Sequence, residues 1–214
     1  MLSVTARIDQ ITQPYGGYLP VSSFRTYTYD VGQDLETVMN STDYGGLQGL
    51  TVDYLTRFLS GSGLEKAFEI SLEGASIVGQ EENAAQLLQG IKGLDRASIL
   101  NAYQLVGYDV AYRRGPDYFS DTKFFIPQEG TISNIEIMVQ RGLSFLNKKE
   151  QLLRVGFQFV GGYSKIISSG DYLTRDGLWD FKTSIHEPTS KDPKRLGCLL
   201  CFNLWIEQGF DQSS

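Results

Sequence analysis

Between residues 47 and 106 the apolar positions recur at three- and four-residue intervals. Leu50, Tyr54, Leu55, Phe58 and Leu59 share one helical face, and the run stops at Gly61-Ser62-Gly63. Leu64 to Leu72 has the same character, with Leu64, Ala67 and Phe68 inward. Glu81 to Ile91 continues it through Ala84, Leu87, Leu88 and Ile91. Asp95 is the expected N-cap of a fourth helix whose face runs through Ile99, Ala102, Tyr103 and Val106. Together these predict a helical bundle without internal repeats. Residues 1–45 read differently. They are rich in Thr, Tyr, Gly and Ser, with a turn at Pro14-Tyr15-Gly16-Gly17 and a short strand expected over Ser22 to Tyr29.

After the fourth helix, a loop from Gly115 to Gly130 holds Pro116 and Pro127. It is the expected internal boundary, dividing a helical region, 1–115, from a second region, 116–214. In the second region Thr131 or Ser133 should cap a helix to about Lys148, with Ile135, Met138, Leu143 and Leu146 apolar. Val155, Phe157 and Phe159 alternate as a strand, and Asp192-Pro193 should open a last helix through Leu196, Leu199, Leu200 and Leu204. The expected class is α+β, with the order helix, strand, hairpin, helix in the C-terminal part.

The hairpin is the segment Gly170 to Ser184. Asp176-Gly177 is a favoured centre for a two-residue hairpin turn, because both positions require positive φ. That turn would pair Thr174 with Trp179, Tyr172 with Phe181 and Asp171 with Lys182. Side chains alternate along a strand, so Asp171, Asp180 and Lys182 would share one face, while Tyr172, Trp179 and Phe181 line the other, buried one. Two carboxylates and an ammonium at the end of a hairpin can hold a divalent metal and activate a water. The duller account is a solvated strand face with a weak cross-strand ion pair.

Charge and composition narrow the field. The net charge of -6 removes the basic footprint usual in nucleic-acid binders, although local patches and bound metal can invert the field. Cys198 and Cys201 lack the further ligands of a closed zinc site, since His186 is the one histidine, and buried free thiols are expected. No apolar run has the length of a membrane span or a signal peptide, so a cytoplasmic chain without membrane partners is expected. Neither a P-loop, a dinucleotide fingerprint nor a Ser-His-Asp set is present.

The element order over roughly residues 131–207, with Asp171 and Asp180-Phe181-Lys182, resembles the PD-(D/E)xK nuclease superfamily in its RecB-like, restriction-endonuclease-like form. The resemblance implies a partial restriction-endonuclease-like helix–strand–hairpin–helix core. It also implies a hydrolase cutting DNA phosphodiesters with Mg²⁺ or Mn²⁺, with Asp171, Asp180 and Lys182 catalytic. Asp171 and Asp180 would be metal ligands, with the Phe181 carbonyl and Glu136 from the preceding helix completing the set. Lys182 would orient the attacking water and offset charge in the transition state. The chain departs from the pattern in two places. The segment Arg195 to Phe202 lacks the Gln and Tyr that RecB-like members carry after the lysine, and little sequence is left for a last core strand.

Those departures, with the acidic balance, support a second expectation. It is a catalytically silent binding protein that inhibits a nucleic-acid-processing enzyme, as a phage or mobile-element anti-defence factor would, through charge complementarity with a protein partner. An incomplete sheet edge would also favour pairing with a second copy as a homo-oligomer. Tyr112-Arg113-Arg114-Gly115 could touch phosphate, but favourable charge at a helix C-terminus is the better account of it.

Overall fold

A computed structural model describes residues 2–15, 17–27, 33–37, 45–120, 126–161, 165–183, 197, 200 and 201. The chain is mixed α+β, with one small mixed sheet among the described residues. It divides into two compact units. Val31–Lys148 is helical, and Met1–Asp30 joins Lys149–Ser214 to form the other. The division therefore falls at 30/31 and 148/149, where the loop composition had suggested 115/116.

The helical unit holds seven helices among its described residues: α2 (Gly45–Leu59), α3 (Leu64–Ala67), α4 (Glu69–Ile77), α5 (Glu81–Gln89), α6 (Arg96–Leu105), α7 (Asp109–Arg114) and α8 (Glu129–Asn147). The inward positions read from the sequence form its core. Tyr54, Leu55, Phe68, Ala84, Ile99 and Ala102 are all buried. Helix α8 belongs here because Ile132, Ile135 and Val139 enter the same apolar cluster. That burial outweighs the proline-bearing loop as a guide to the boundary. Close packing also fixes Gly74, where a Cβ would sit 2.1 Å from the Tyr108 carbonyl oxygen.

Three local expectations are revised. The helix expected over Leu64 to Leu72 breaks at Phe68 into α3 and α4, with the fully buried Phe68 ring edge-on to Tyr54 at 5.5 Å between centroids. Helix α8 starts at Glu129, two residues before Thr131, and its N-cap Gln128 makes no side-chain cap bond. Buried Asn134 inside α8 is satisfied from outside the helix. Its Oδ1 accepts from the Glu36 N–H at 2.7 Å and its Nδ2 donates to the Glu36 carbonyl at 2.9 Å. Finally, Val21–Ser23 is a 3₁₀ turn and no strand covers residues 22–27, while Thr28 and Tyr29 lie outside the described residues.

Asp95 caps α6 as expected, accepting from the N–H groups of Ala97 and Ser98. Bonds from Ser98, first its hydroxyl and then its N–H, hold the Asp95 carboxyl below its ordinary value of 3.8. A carboxyl lowered by folding contributes stability above its unfolded pKa and loses it as pH falls through the folded one. Asp95→Ala should therefore lower the melting temperature at pH 7, and the gap from the parent chain should narrow at a pH below the carboxyl's ordinary value of 3.8. Thermal melts followed by circular dichroism at both pH values check this. A gap that persists in acid would contradict it.

In the other unit, β1 (Leu2–Ser3) runs into α1 (Val4–Asp9), capped by the Ser3 hydroxyl on the Ala6 N–H at 3.1 Å. The sheet continues with β2 (Leu152–Val160), β3 (Ile166–Thr174) and β4 (Gly177–Trp179). Strand β3 is central. It pairs antiparallel with β2 from Ile167 to Thr174, antiparallel with β4 from Tyr172, and parallel with β1 at Ile166 and Ile167. Because β2 occupies one edge of β3 along that length, β1 and β4 share the other edge at opposite ends. A small core of Val4, Phe159 and Leu173, with Ile8, Phe157, Leu178 and Leu200 against it, holds this unit. Leu200 and Cys201 are helical, and the rest of the expected last helix lies outside the described residues apart from Gly197. His186 and Cys198 lie outside them too.

Candidate functional site

The strand-strand-strand run β2, β3, β4 exists where the sequence placed a strand and a hairpin, but its last register differs. Tyr172 faces Trp179, Leu173 faces Leu178 and Thr174 faces Gly177. The turn is centred on Arg175-Asp176, one residue earlier than expected, and neither residue has positive φ. Gly177 serves space instead of backbone sign, since a Cβ there would lie 3.0 Å from Cζ2 of the Trp179 indole. The pairing slides by two residues relative to expectation, and two is the strand period. Every side chain therefore keeps its expected side, whereas a slide of one would have exchanged the faces.

The aromatic side of the hairpin assembles as expected. Tyr172 is fully buried opposite half-buried Trp179, and its ring lies 4.7 Å from that of Phe181. The acidic side is less exposed than expected. Tyr172, Leu173 and Thr174 are consecutive and all buried, so both sides of β3 are covered there, and Asp171 itself is only 9% exposed.

A backbone-to-side-chain bond ties the segment after β4 to Asp171. The Phe181 N–H donates to Asp171 Oδ2 at 2.9 Å. A carboxylate drawn out of water needs such charge-assisted bonds to remain ionised. The donor belongs to the residue between Asp180 and Lys182, so the bond brings Asp171 to the backbone that carries both. Lys182 Nζ bonds Asp180 Oδ1 at 2.6 Å and Oδ2 at 2.5 Å, and both side chains are about half exposed. Lys182 thus pairs with Asp180, two residues away along the chain. Glu136 lies on α8, in the other compact unit, and its Oε1 accepts from Gln140 Nε2 at 3.2 Å.

The donors suit Mg²⁺ or Mn²⁺ in kind, because two carboxylates and the Phe181 carbonyl supply only hard oxygen ligands. In number the set is small. Among the described residues no three His, Cys, Asp or Glu side chains group as a metal cluster. The Asp180–Lys182 pair is a modest obstacle, since an exposed ion pair is worth only about 0–1 kcal/mol and a divalent cation competes readily for the carboxylate.

Two clusters escaped the sequence reading. The first sits at the hairpin turn. Trp179 Nε1 donates to Thr174 Oγ1 at 2.7 Å, the Thr174 hydroxyl donates to Asp176 Oδ1 at 2.6 Å, and Lys149 Nζ lies 4.2 Å from the Trp179 ring centroid. The second is buried in the helical unit. Asp109 accepts from the Tyr54 hydroxyl at 2.7 Å and the Ser71 hydroxyl at 2.5 Å, with Arg113 Nε at 3.2 Å. Burial first, and then the Asp109 charge, push the Tyr54 hydroxyl well above its ordinary pKa. An acid inside the apolar run Leu105 to Ala111 was the available signal for the second. Arg113 belongs to α7, which follows a 3₁₀ turn over Val106–Tyr108, so Tyr112-Arg113-Arg114 closes a separate helix from α6.

Among the described residues no helix is long and apolar enough to cross a membrane. Comparison with protein-family models, with curated proteins and with solved structures finds no match for this chain.

Proposed function

We propose that the chain is a metal-dependent, nuclease-like hydrolase of DNA phosphodiesters, acting in the cytoplasm through Asp171, Asp180 and Lys182. The observation that carries this reading is the bond from the Phe181 N–H to Asp171. It gathers the three residue types that the chemistry needs at the mouth of one hairpin. Asp171, Asp180 and the Phe181 carbonyl are the groups that would hold Mg²⁺ or Mn²⁺. Such an ion supplies a water of lowered pKa and polarises the phosphoryl oxygen.

The chain's own groups divide the remaining work. Asp171 is fixed by burial and by its backbone bond, which suits a ligand that must not reorganise. Asp180 and Lys182, half exposed, are open to a phosphodiester from solvent. In this structure the Lys182 ammonium rests on Asp180. Transferred to a phosphate oxygen, it would offset charge gained in the transition state.

The net charge of -6 and the mutual satisfaction of Asp180 and Lys182 favour one second reading, an acidic inhibitor of a nucleic-acid-processing enzyme that uses no metal. Incubation with Mn²⁺ and with single- and double-stranded DNA separates the two. The nuclease reading requires products that vanish with a chelator. An intact substrate with both Mn²⁺ and Mg²⁺ would overturn it in favour of the inhibitor.

A further inference from the structure

We infer that Thr174 is a positioning residue for the hairpin site, acting through the Trp179 indole on the backbone of Asp180 to Lys182. The inference deepens the nuclease reading and rests on it for its catalytic arm alone. Strand pairing ends at Trp179, so the next three residues have no ladder to aim them. Described contacts on both sides of Asp180 hold them instead. Beyond Asp180, Phe181 is fixed by its N–H on Asp171 and its ring against Tyr172. Before Asp180, Trp179 is fixed by the polar chain that ends at Asp176.

Thr174 is the middle link of that chain and is only 2% exposed. In the observed register it is the diagonal neighbour of Trp179, two residues from the directly opposed Tyr172. A hydroxyl has one proton to give and can accept in return. The Thr174 proton goes to Asp176 Oδ1 at 2.6 Å, nearer than the Gly177 carbonyl at 3.2 Å, while its oxygen accepts from the indole. Donation to a carboxylate polarises the hydroxyl and strengthens the bond it accepts. Lys149 over the indole face supplies a cation–π contact, and the bare Cα of Gly177 leaves room for the ring. The indole is thus gripped at its rim and on its face, which fixes the residue that leads into Asp180.

Thr174→Val removes the hydroxyl and keeps the branched shape. Trp179→Phe removes the donor and keeps an aromatic ring, and it serves should the valine variant fail to fold. Thr174→Ser restores the hydroxyl. In ¹H–¹⁵N spectra of the full chain, Thr174→Val should move the Trp179 indole resonance upfield and shift the Asp180 and Lys182 amides, and Thr174→Ser should return both. Trp179→Phe should shift the same two amides. Cleavage in Mn²⁺ should fall roughly 10–100-fold in kcat, with KM for DNA unchanged, as for other supporting groups behind a metal ligand.

An indole that does not move, or one that moves while the Asp180 and Lys182 amides stay in place, overturns the inference. Shifted amides with an undiminished kcat overturn it as well. Should the parent chain cut no DNA, the nuclease reading fails, and the amide shifts alone decide whether Thr174 positions these residues.

Discussion

Asp109→Ala should destabilise the helical unit more than any other single polar truncation in its core. Two buried hydroxyls, Tyr54 and Ser71, lose their acceptor, and each such loss costs about 1–3 kcal/mol. Arg113, left without its carboxylate, adds less to the loss than a buried cation would, because its half-exposed side chain can turn to water. Asp109→Asn should cost less than Asp109→Ala, since the amide oxygen still accepts one hydroxyl. Urea unfolding followed by circular dichroism gives the comparison. A change within about 0.5 kcal/mol for the alanine variant, the usual range of a surface substitution, would mean that the network holds nothing together.

The second large effect separates structure from chemistry at the hairpin. Asp171 plays both parts in this account, as acceptor for the Phe181 N–H and as ligand. Asp171→Ala should lose stability, by about 1.5–3 kcal/mol for a hydrogen bond to a charged group, and should also lose metal-dependent cleavage. Asp171→Asn keeps an acceptor of nearly the same shape without the charge. It should hold most of the stability and still lose cleavage by more than the roughly 10–100-fold that supporting groups cost. Thermal melts and single-turnover cleavage on the same preparations read the two quantities. Equal cleavage by parent and Asp171→Asn would leave Asp171 a purely structural acid.

Much of this was legible in the chain, for reasons that differ between elements. The inward faces of α2, α5 and α6 followed from 3.6-residue periodicity, and Asp95 announced its helix because capping is local chemistry. The two sides of the hairpin were legible as well, since alternation along a strand survives any even slide of the register. The register itself was not. Asp176-Gly177 carries the signal of a positive-φ turn, yet the glycine is used to admit the indole of Trp179, a residue beyond the turn.

Contacts between distant segments were equally hidden. Leu2 and Ser3 pair with Ile166 and Ile167, and two residues carry no recognisable strand pattern. Helix α8 looked like the first element of the C-terminal region because a proline-bearing loop precedes it, and its apolar face instead completes the helical core. At the site, residue types showed which groups could cooperate. Only the folded chain shows that Asp171 is buried, that its bond goes to the Phe181 N–H, and that Lys182 rests on Asp180.

The most direct measurement is the rate of Mn²⁺-dependent DNA cleavage by Asp180→Ala beside the parent chain, at matched concentration and with matched melting temperatures. Asp180 is half exposed and its ion pair is worth little, so the variant should fold as the parent does. The parent should cut and Asp180→Ala should not. Equal cleavage by the two would place the chemistry elsewhere and contradict the assignment of this hairpin as the active site.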